Sequence, residues 1–235
     1  MKTTLARRRG DAEKKYKRPK ALDLFCGAGG ASMGLHRAGC DVTGVDIRPQ
    51  PHYPFDFIQG DALEQSLDGY DFVWASPPCQ TYYQIRGLLV SQGRAKDHPA
   101  LIEETRAKLQ LWGGDWIIEN VVGAPLIDPV MLCGSSFGLL VQRHRLFESN
   151  VMMLGLPCAH SLQLHDKPCL HRHNKGKSRV VGCYGSGRGK GDNMALWSEA
   201  MGIDWMTRKE CAQAIPPAYS EFLFRQILQT ARRAA

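Results

Sequence analysis

Between residues 21 and 118 the chain repeats one pattern: a short apolar run, an abrupt stop at glycine, proline or an acid, then a polar or helical stretch. The runs at 21–25, 42–46, 55–58, 72–75 and 116–118 have strand length. Their apolarity is largely continuous rather than alternating, which suits strands buried on both faces. The stretches 31–38 and 99–112 carry helical spacing. The second uses Leu101, Ile102, Thr105, Leu109 and Trp112 and stops at Gly113-Gly114. Strands alternating with helices predict an α/β fold, with a doubly wound, mostly parallel sheet covered on both faces. Sheets of this kind bind ligands at the carboxyl ends of their strands.

The residues able to do chemistry fall at those ends. Asp23-Leu24-Phe25-Cys26-Gly27-Ala28-Gly29-Gly30 is a strand running into a glycine turn, which lets backbone approach a ligand closely. Asp46 closes the second run and can accept hydrogen bonds from ribose hydroxyls. Asp61, after the third, can accept one from an exocyclic amine. Either acid can instead cap a helix. The fourth run breaks into Ser76-Pro77-Pro78-Cys79-Gln80, which places a thiol on a loop rather than in a core. The fifth ends in Glu119-Asn120-Val121. A thiol, a carboxylate and a glycine turn at neighbouring strand exits predict one catalytic crevice.

Composition narrows the setting. The chain has 235 residues, enough for one domain with a modest insertion. No apolar run approaches the roughly 20 residues of a membrane helix. The basic N-terminus has no apolar segment typical of a secretory leader. The eight cysteines follow no disulfide spacing, so a reduced, cytoplasmic setting is expected. Residues 1–20 hold nine Lys/Arg against Asp11 and Glu13, an excess that equals the whole net charge of +7. A tail of this kind can scan nucleic acid or act as a disordered, solubilising arm.

After Phe147 the periodicity fades, and residues 148–193 are rich in Gly, His, Lys and Pro. Regular structure is expected again near Met194. Thr207 and Glu210 have capping-box spacing, and Pro216-Pro217 separates two helices. Tyr219, Phe222, Leu223 and Ile227 share one face of the second helix. The expected organisation is a basic flexible tail (1–19), a catalytic and cofactor-binding domain (20–147), a short recognition region (148–200) and C-terminal helices returning to the catalytic domain (201–235).

The motifs DLFCGAGG, GVDIRP, QGDAL, SPPCQ, ENV and RHRLF, in this order, resemble those of the DNA (cytosine-5)-methyltransferases, in particular small members from phages and bacteria. The resemblance covers about residues 20–147 and 212–225. It implies a class I, Rossmann-like fold dependent on S-adenosylmethionine, with a small irregular recognition insert. It implies methyl transfer to C5 of a cytosine flipped out of double-stranded DNA. By that resemblance Cys79 is the nucleophile that adds to C6. Glu119 is the acid at N3 and N4, and Arg143 and Arg145 orient the base. The cofactor contacts carried over are Phe25, Gly27, Gly29, Gly30, Asp46, Ile47, Asp61, Pro78 and Leu101. The partner is duplex DNA and the expected state a monomer. A restriction endonuclease partner is left open.

The sequence departs from the family at Val141-Gln142, where Gln is usual at the first position. It departs again at Thr81-Tyr82-Tyr83 and at Ala212-Gln213-Ala214-Ile215-Pro216-Pro217, which alters expected phosphate and cofactor contacts. In the recognition region Arg172, Lys175, Lys177, Arg179, Arg188 and Lys190 are basic with no acid between them. With Gln80 they are the expected DNA contacts. Cys158-x-His160 and Cys169-x-His171, with His165, His173 and Cys183 nearby, can supply zinc ligands. The tight Cys-x-His spacing does not match a standard finger, so no metal is the favoured expectation. Two alternatives remain at this level: a cytosine-5 methyltransferase acting on RNA, and a DNA-binding relative with reduced catalysis.

Overall fold

The sheet is built from β1 (Lys20–Leu24), β2 (Asp41–Asp46), β3 (Asp56–Gln59), β4 (Phe72–Ala75), β5 (Asp115–Asn120), β6 (Val130–Leu132) and β7 (Arg145–Ser149). Among the described residues the helices are α1 (Gly30–Arg37), α2 (Ile102–Trp112), α3 (Met194–Met201), α4 (Arg208–Gln213) and α5 (Pro217–Ala234). This computed structural model describes residues 17–82, 99–160, 180–183 and 194–234.

The strand order is β3-β2-β1-β4-β5-β7-β6, with β7 antiparallel to both its neighbours and the remaining pairs parallel. From β1 the chain steps outward through β2 and β3, then returns to place β4 on the other side of β1. The switch point of the sheet therefore lies between β1 and β4, and sheets of this kind bind ligands at the carboxyl ends there.

Alternate residues of each strand point to opposite faces, and the core divides accordingly. One face presents Ala21, Phe72, Trp74, Ile117 and Phe147 to Leu35 of α1 and to Tyr219, Leu223, Phe224 and Ile227 of α5. The other presents Leu22, Leu24, Val73, Ala75, Trp116 and Ile118 to Leu109 of α2. Burying each such side chain contributes about 1.5–3 kcal/mol. A third cluster joins Ala28 and Val141 to Val181, Cys183, Trp197, Met201, Ile203, Met206 and Cys211.

Two glycines decide how α5 seats on α1. A Cβ at Gly30 would lie 2.5 Å from the Ile215 carbonyl oxygen, and one at Gly34 would lie 2.1 Å from the Pro217 oxygen. The absent side chains let the two backbones touch. The expected capping box is present: the Thr207 side chain accepts from the Glu210 backbone, and Glu210 Oε2 accepts from Thr207 N at 2.7 Å. Pro217 opens α5 at the position where a missing N–H costs nothing.

The run 72–75 is a strand over those residues, and the other four shift by one or a few. β5 is longer than expected and carries Glu119 within the strand rather than just beyond it. β6 and the 3-10 turn Gly134–Phe137 were not foreseen, because three residues at a sheet edge leave no periodic signal. The expected boundaries at 147/148 and 200/201 fall inside β7 and α3. Arg18, expected in the flexible tail, is fixed by donating to the Cys40 carbonyl at 2.7 Å and the Gly39 carbonyl at 3.1 Å. Among the described residues no helix is long and apolar enough to cross a membrane.

Candidate active site

The turn after β1 is held in an unusual backbone conformation. Phe25 has φ 59, Gly27 φ 50 and Gly29 φ 86. For the two glycines this is free, but for Phe25 it is strained, and such strain persists only where the surroundings fix it. They do so here: Cys26 N donates to the Val45 carbonyl at 3.0 Å, Gly29 N to the Cys26 carbonyl at 3.0 Å, and Trp205 Nε1 to the Ala28 carbonyl at 2.8 Å. Asp46, closing β2, reaches across. Its Oδ2 accepts from Gly27 N at 3.0 Å and its Oδ1 from Arg48 N at 2.9 Å. Each oxygen keeps a lone pair for a further donor. Beside it Ile47 is 67 % exposed. Beyond Gly27 there is open space, with nothing within 4 Å of where its Cβ would stand. Asp61 Oδ1 accepts from Leu63 N at 2.8 Å in the turn after β3.

Beneath the turn lies Asp23, which the sequence did not single out. It is fully buried, accepts from the Ser32 hydroxyl, and is pushed up to about 7, chiefly by burial. Ser32 in turn meets Tyr53 Oη at 2.7 Å.

The exit of β4 is tied to both neighbouring strands. Ser76 N donates to the Leu24 carbonyl of β1 at 3.0 Å. Asn120 Nδ2 of β5 donates to the Pro77 carbonyl at 2.9 Å. The Ser76 hydroxyl accepts from Trp74 Nε1 at 2.9 Å and is hydrogen-bonded to Glu119. The Pro-Pro loop is thus stapled to the strand that carries the carboxylate. Cys79 follows, half-buried, and a turn from Tyr82 N to its carbonyl at 2.9 Å sets the loop's direction. Pro78 is half-buried beside it. Gln80, expected to face DNA, has its Oε1 shielded and without a hydrogen-bond partner.

Glu119 is 8 % exposed and paired with Arg145, Nε to Oε1 at 3.0 Å. Sheet register explains the pair. β5 and β7 align Glu119 with Phe147, so Arg145, two residues back on β7, is a diagonal neighbour on the same face. The Glu119 carboxyl is held above the ordinary carboxylate range. Burial outweighs the opposing pull of Arg145, Arg143 and the Ser76 hydrogen bond.

Both arginines act on Glu119, but they are held differently. Arg143 has φ 37, which turns its side chain inward, and it is 2 % exposed. Its Nη1 donates to the Cys183 carbonyl at 3.0 Å and its Nη2 to the Ala212 carbonyl at 2.7 Å. Tyr219 Oη donates to the Arg143 carbonyl at 2.9 Å. These bonds make Arg143 a tie between the segment before β7, residues 180–183 and the end of α4. Leu101 is half-buried at the start of α2, where its carbonyl accepts from Thr105 N at 2.9 Å.

Arg172, Lys175, Lys177, Arg179, Arg188 and Lys190 lie outside the described residues, as do Tyr83, Cys169, His165, His171, His173 and the tail to residue 16. Among the described residues Cys158 and His160, read in the sequence together with that later Cys/His motif, meet Cys133 and His144. Their separation along the chain hid the last two.

No protein-family model and no curated protein matches the sequence. Solved structures do match. One is described as a candidate DNA modification methyltransferase encoded within an E. coli prophage, at TM-score 0.57 and 14 % identity over 91 % of this chain and 99 % of that one. Another is the S. pombe Dnmt2 methyltransferase, at TM-score 0.56 and 15 % identity over 92 % of this chain and 99 % of that one. At such identity the likeness is one of fold: the chain has the class I, Rossmann-like methyltransferase fold.

Proposed function

We propose that the chain methylates C5 of cytosine in double-stranded DNA through a covalent adduct of Cys79 with C6. The observation that carries the reading is the double staple Asn120–Pro77 and Ser76–Glu119, which ties the loop leading to Cys79 to the strand that carries the buried Glu119 carboxyl. The residues at the neighbouring turn fit S-adenosylmethionine. Gly27 leaves open space over a bare backbone, Asp46 has lone pairs to spare, and exposed Ile47 lies beside it. When bound there it supplies an electrophilic methyl group.

Within this reading the protein's own groups do the following. The Cys79 thiolate adds to C6 and makes C5 a nucleophilic enamine carbon. Glu119, held above its usual range, keeps a proton at N3 as negative charge develops on the ring. Arg145 fixes the Glu119 carboxyl and faces the base at O2. Arg143 acts as a positioning residue through its carbonyl ties. Once C5 carries the new methyl, loss of the C5 proton and expulsion of the Cys79 thiolate restore aromaticity. A base inside a duplex cannot reach Cys79, so the target must be flipped out. The basic residues between 172 and 190 would hold the backbone while this happens.

Duplex DNA carrying 5-fluorocytosine tests the reading, because fluorine cannot leave as a proton does. With S-adenosylmethionine present, the parent should form a complex that survives denaturing electrophoresis, and Cys79→Ser should not. Trapping of an RNA duplex but not DNA would move the substrate to RNA. Equal trapping by Cys79→Ser would remove Cys79 as nucleophile.

A further inference from the structure

Four side chains outside this chemistry meet at the β6–β7 shoulder of the sheet. Cys133 follows β6 and is fully buried. His144 stands between Arg143 and Arg145 where β7 begins. Cys158 and His160 lie on the chain that leaves β7, with Cys158 exposed. One ligating atom from each lies within 4.8 Å of all the others. Cys133 Sγ is 3.2 Å from His160 Nε2, and His144 Nε2 is 3.3 Å from Cys158 Sγ. The two imidazoles meet edge to face, with centroids 5.3 Å apart and planes at 80°.

Zinc bonds of about 2.0–2.3 Å place tetrahedral ligand atoms roughly 3.3–3.8 Å apart. Two of the six pairs, at 3.2 and 3.3 Å, lie close to that spacing, and the rest fall within 4.8 Å. We propose that Cys133, His144, Cys158 and His160 bind one structural zinc ion. Two thiolates balance the dication, and two neutral imidazoles complete a closed set of four with no position left for a reacting molecule. Thiolate and imidazole with no carboxylate select zinc over calcium or magnesium. Binding releases the proton of each thiol to solvent.

The surrounding contacts fit a built site. Ser135 Oγ lies 3.0 Å from Cys133 Sγ and also accepts from Ala159 N at 3.0 Å. Ser136 Oγ donates to the Pro157 carbonyl at 2.7 Å. Both bonds dock residues 157–160 onto the 3-10 turn that Cys133 opens. On the other side, Arg145 Nη1 donates to the His144 carbonyl at 2.9 Å while its Nε holds Glu119. The ion would thus pin the start of the recognition region to the strand that orients the catalytic carboxyl. The site does not depend on the methyl-transfer reading.

The full chain, purified under reducing conditions without chelator, should carry one zinc per molecule by elemental mass spectrometry. Exchange with Co2+ should give the visible bands of a tetrahedral site and near-ultraviolet thiolate-to-cobalt charge transfer. Cys158→Ser, an exposed position whose fold is checked by circular dichroism, should weaken zinc at least tenfold in competition with a chelating dye. Cys169→Ser should leave it unchanged. The proposal falls if the parent shows no tetrahedral cobalt spectrum. Zinc retained at full affinity by Cys158→Ser, or lost only in Cys169→Ser, overturns it equally. So does a Cys133–Cys158 disulfide, seen as a mass deficit of two hydrogens in metal-free protein.

Discussion

The ion pair between Arg106 of α2 and Glu148 of β7 is the most informative place to break the scaffold. Arg106 Nε lies 2.6 Å from Glu148 Oε1, and Arg106 Nη2 lies 2.8 Å from Oε2, with side chains 6 % and 5 % exposed. The pair does not stand alone. Arg106 also donates to the Pro125 carbonyl at 2.8 Å, and Ile127 N donates to Glu148 Oε2 at 2.8 Å. Together these join α2, β7 and the loop after β5, directly behind Glu119. Arg106→Met leaves a buried carboxylate with one remaining donor and should cost about 3–5 kcal/mol. Glu148→Met leaves the buried guanidinium its exposed Glu103 partner at 2.8 Å and the Pro125 carbonyl, and should cost less, about 1–3 kcal/mol. The double variant removes both charges and leaves two backbone groups unmatched, at about 1–3 kcal/mol each. It should therefore be less damaged than the sum of the singles, with a coupling of about 2 kcal/mol or more. Urea denaturation followed by both tryptophan fluorescence and far-ultraviolet circular dichroism measures all four proteins, with constant slope as the control. Singles costing under about 1 kcal/mol, or strictly additive values, would refute the argument that this pair fixes α2 to β7.

Three further outcomes follow from the same geometry. Gly34→Ala, usually favourable in a helix by about 1 kcal/mol, should here destabilise by about 2 kcal/mol or more, because the new Cβ would lie 2.1 Å from the Pro217 oxygen; an unchanged melting temperature would show that α5 is not seated as described. Asp23, raised from 3.8 to about 7, favours folding fully at low pH, and that contribution is lost as pH rises through 7. The loss is on the order of 4 kcal/mol, so urea midpoints relative to Asp23→Asn should fall between pH 4 and 8, and parallel profiles would discount the buried acid. Glu119, also raised, should lose its proton above the usual carboxylate range, so kcat/KM should decline on the alkaline side; Glu119→Gln should lower activity about 10²–10⁴-fold and remove that limb, and a limb that persists belongs to another group.

Much of the sheet was legible because strands buried on both faces announce themselves as apolar runs. Residues 72–75 and the turn at 25–30 are examples, and their exits could be read as a crevice from the order of elements. The capping box at Thr207 was legible for another reason, since its two partners are fixed three residues apart. What escaped depends on distance through space rather than along the chain. Asp23 lay inside an apolar run and read as part of a strand, yet burial and Ser32 set its titration. Arg143 shared a motif with Arg145, but a left-handed backbone turned it toward Cys183 and Ala212. The Cys133–His144 half of the sulfur–imidazole cluster had no local spacing to betray it, because β6 and β7 bring it together only after pairing.

The seating of α5 against α1 has a consequence for how the molecule is made. Tyr219, Leu223, Phe224 and Ile227 complete the apolar layer over one whole face of the sheet. During synthesis β1, β4 and β5 leave the ribosome long before residues 217–234 do. Until then Phe72, Trp74 and Phe147 lack the α5 side chains that cover them. The glycine turn shares this delay, because α1, which it opens, is packed by the same late helix. A nascent chain therefore carries every proposed catalytic side chain while one apolar face of its sheet still lacks its last helix, and such exposed surface favours aggregation.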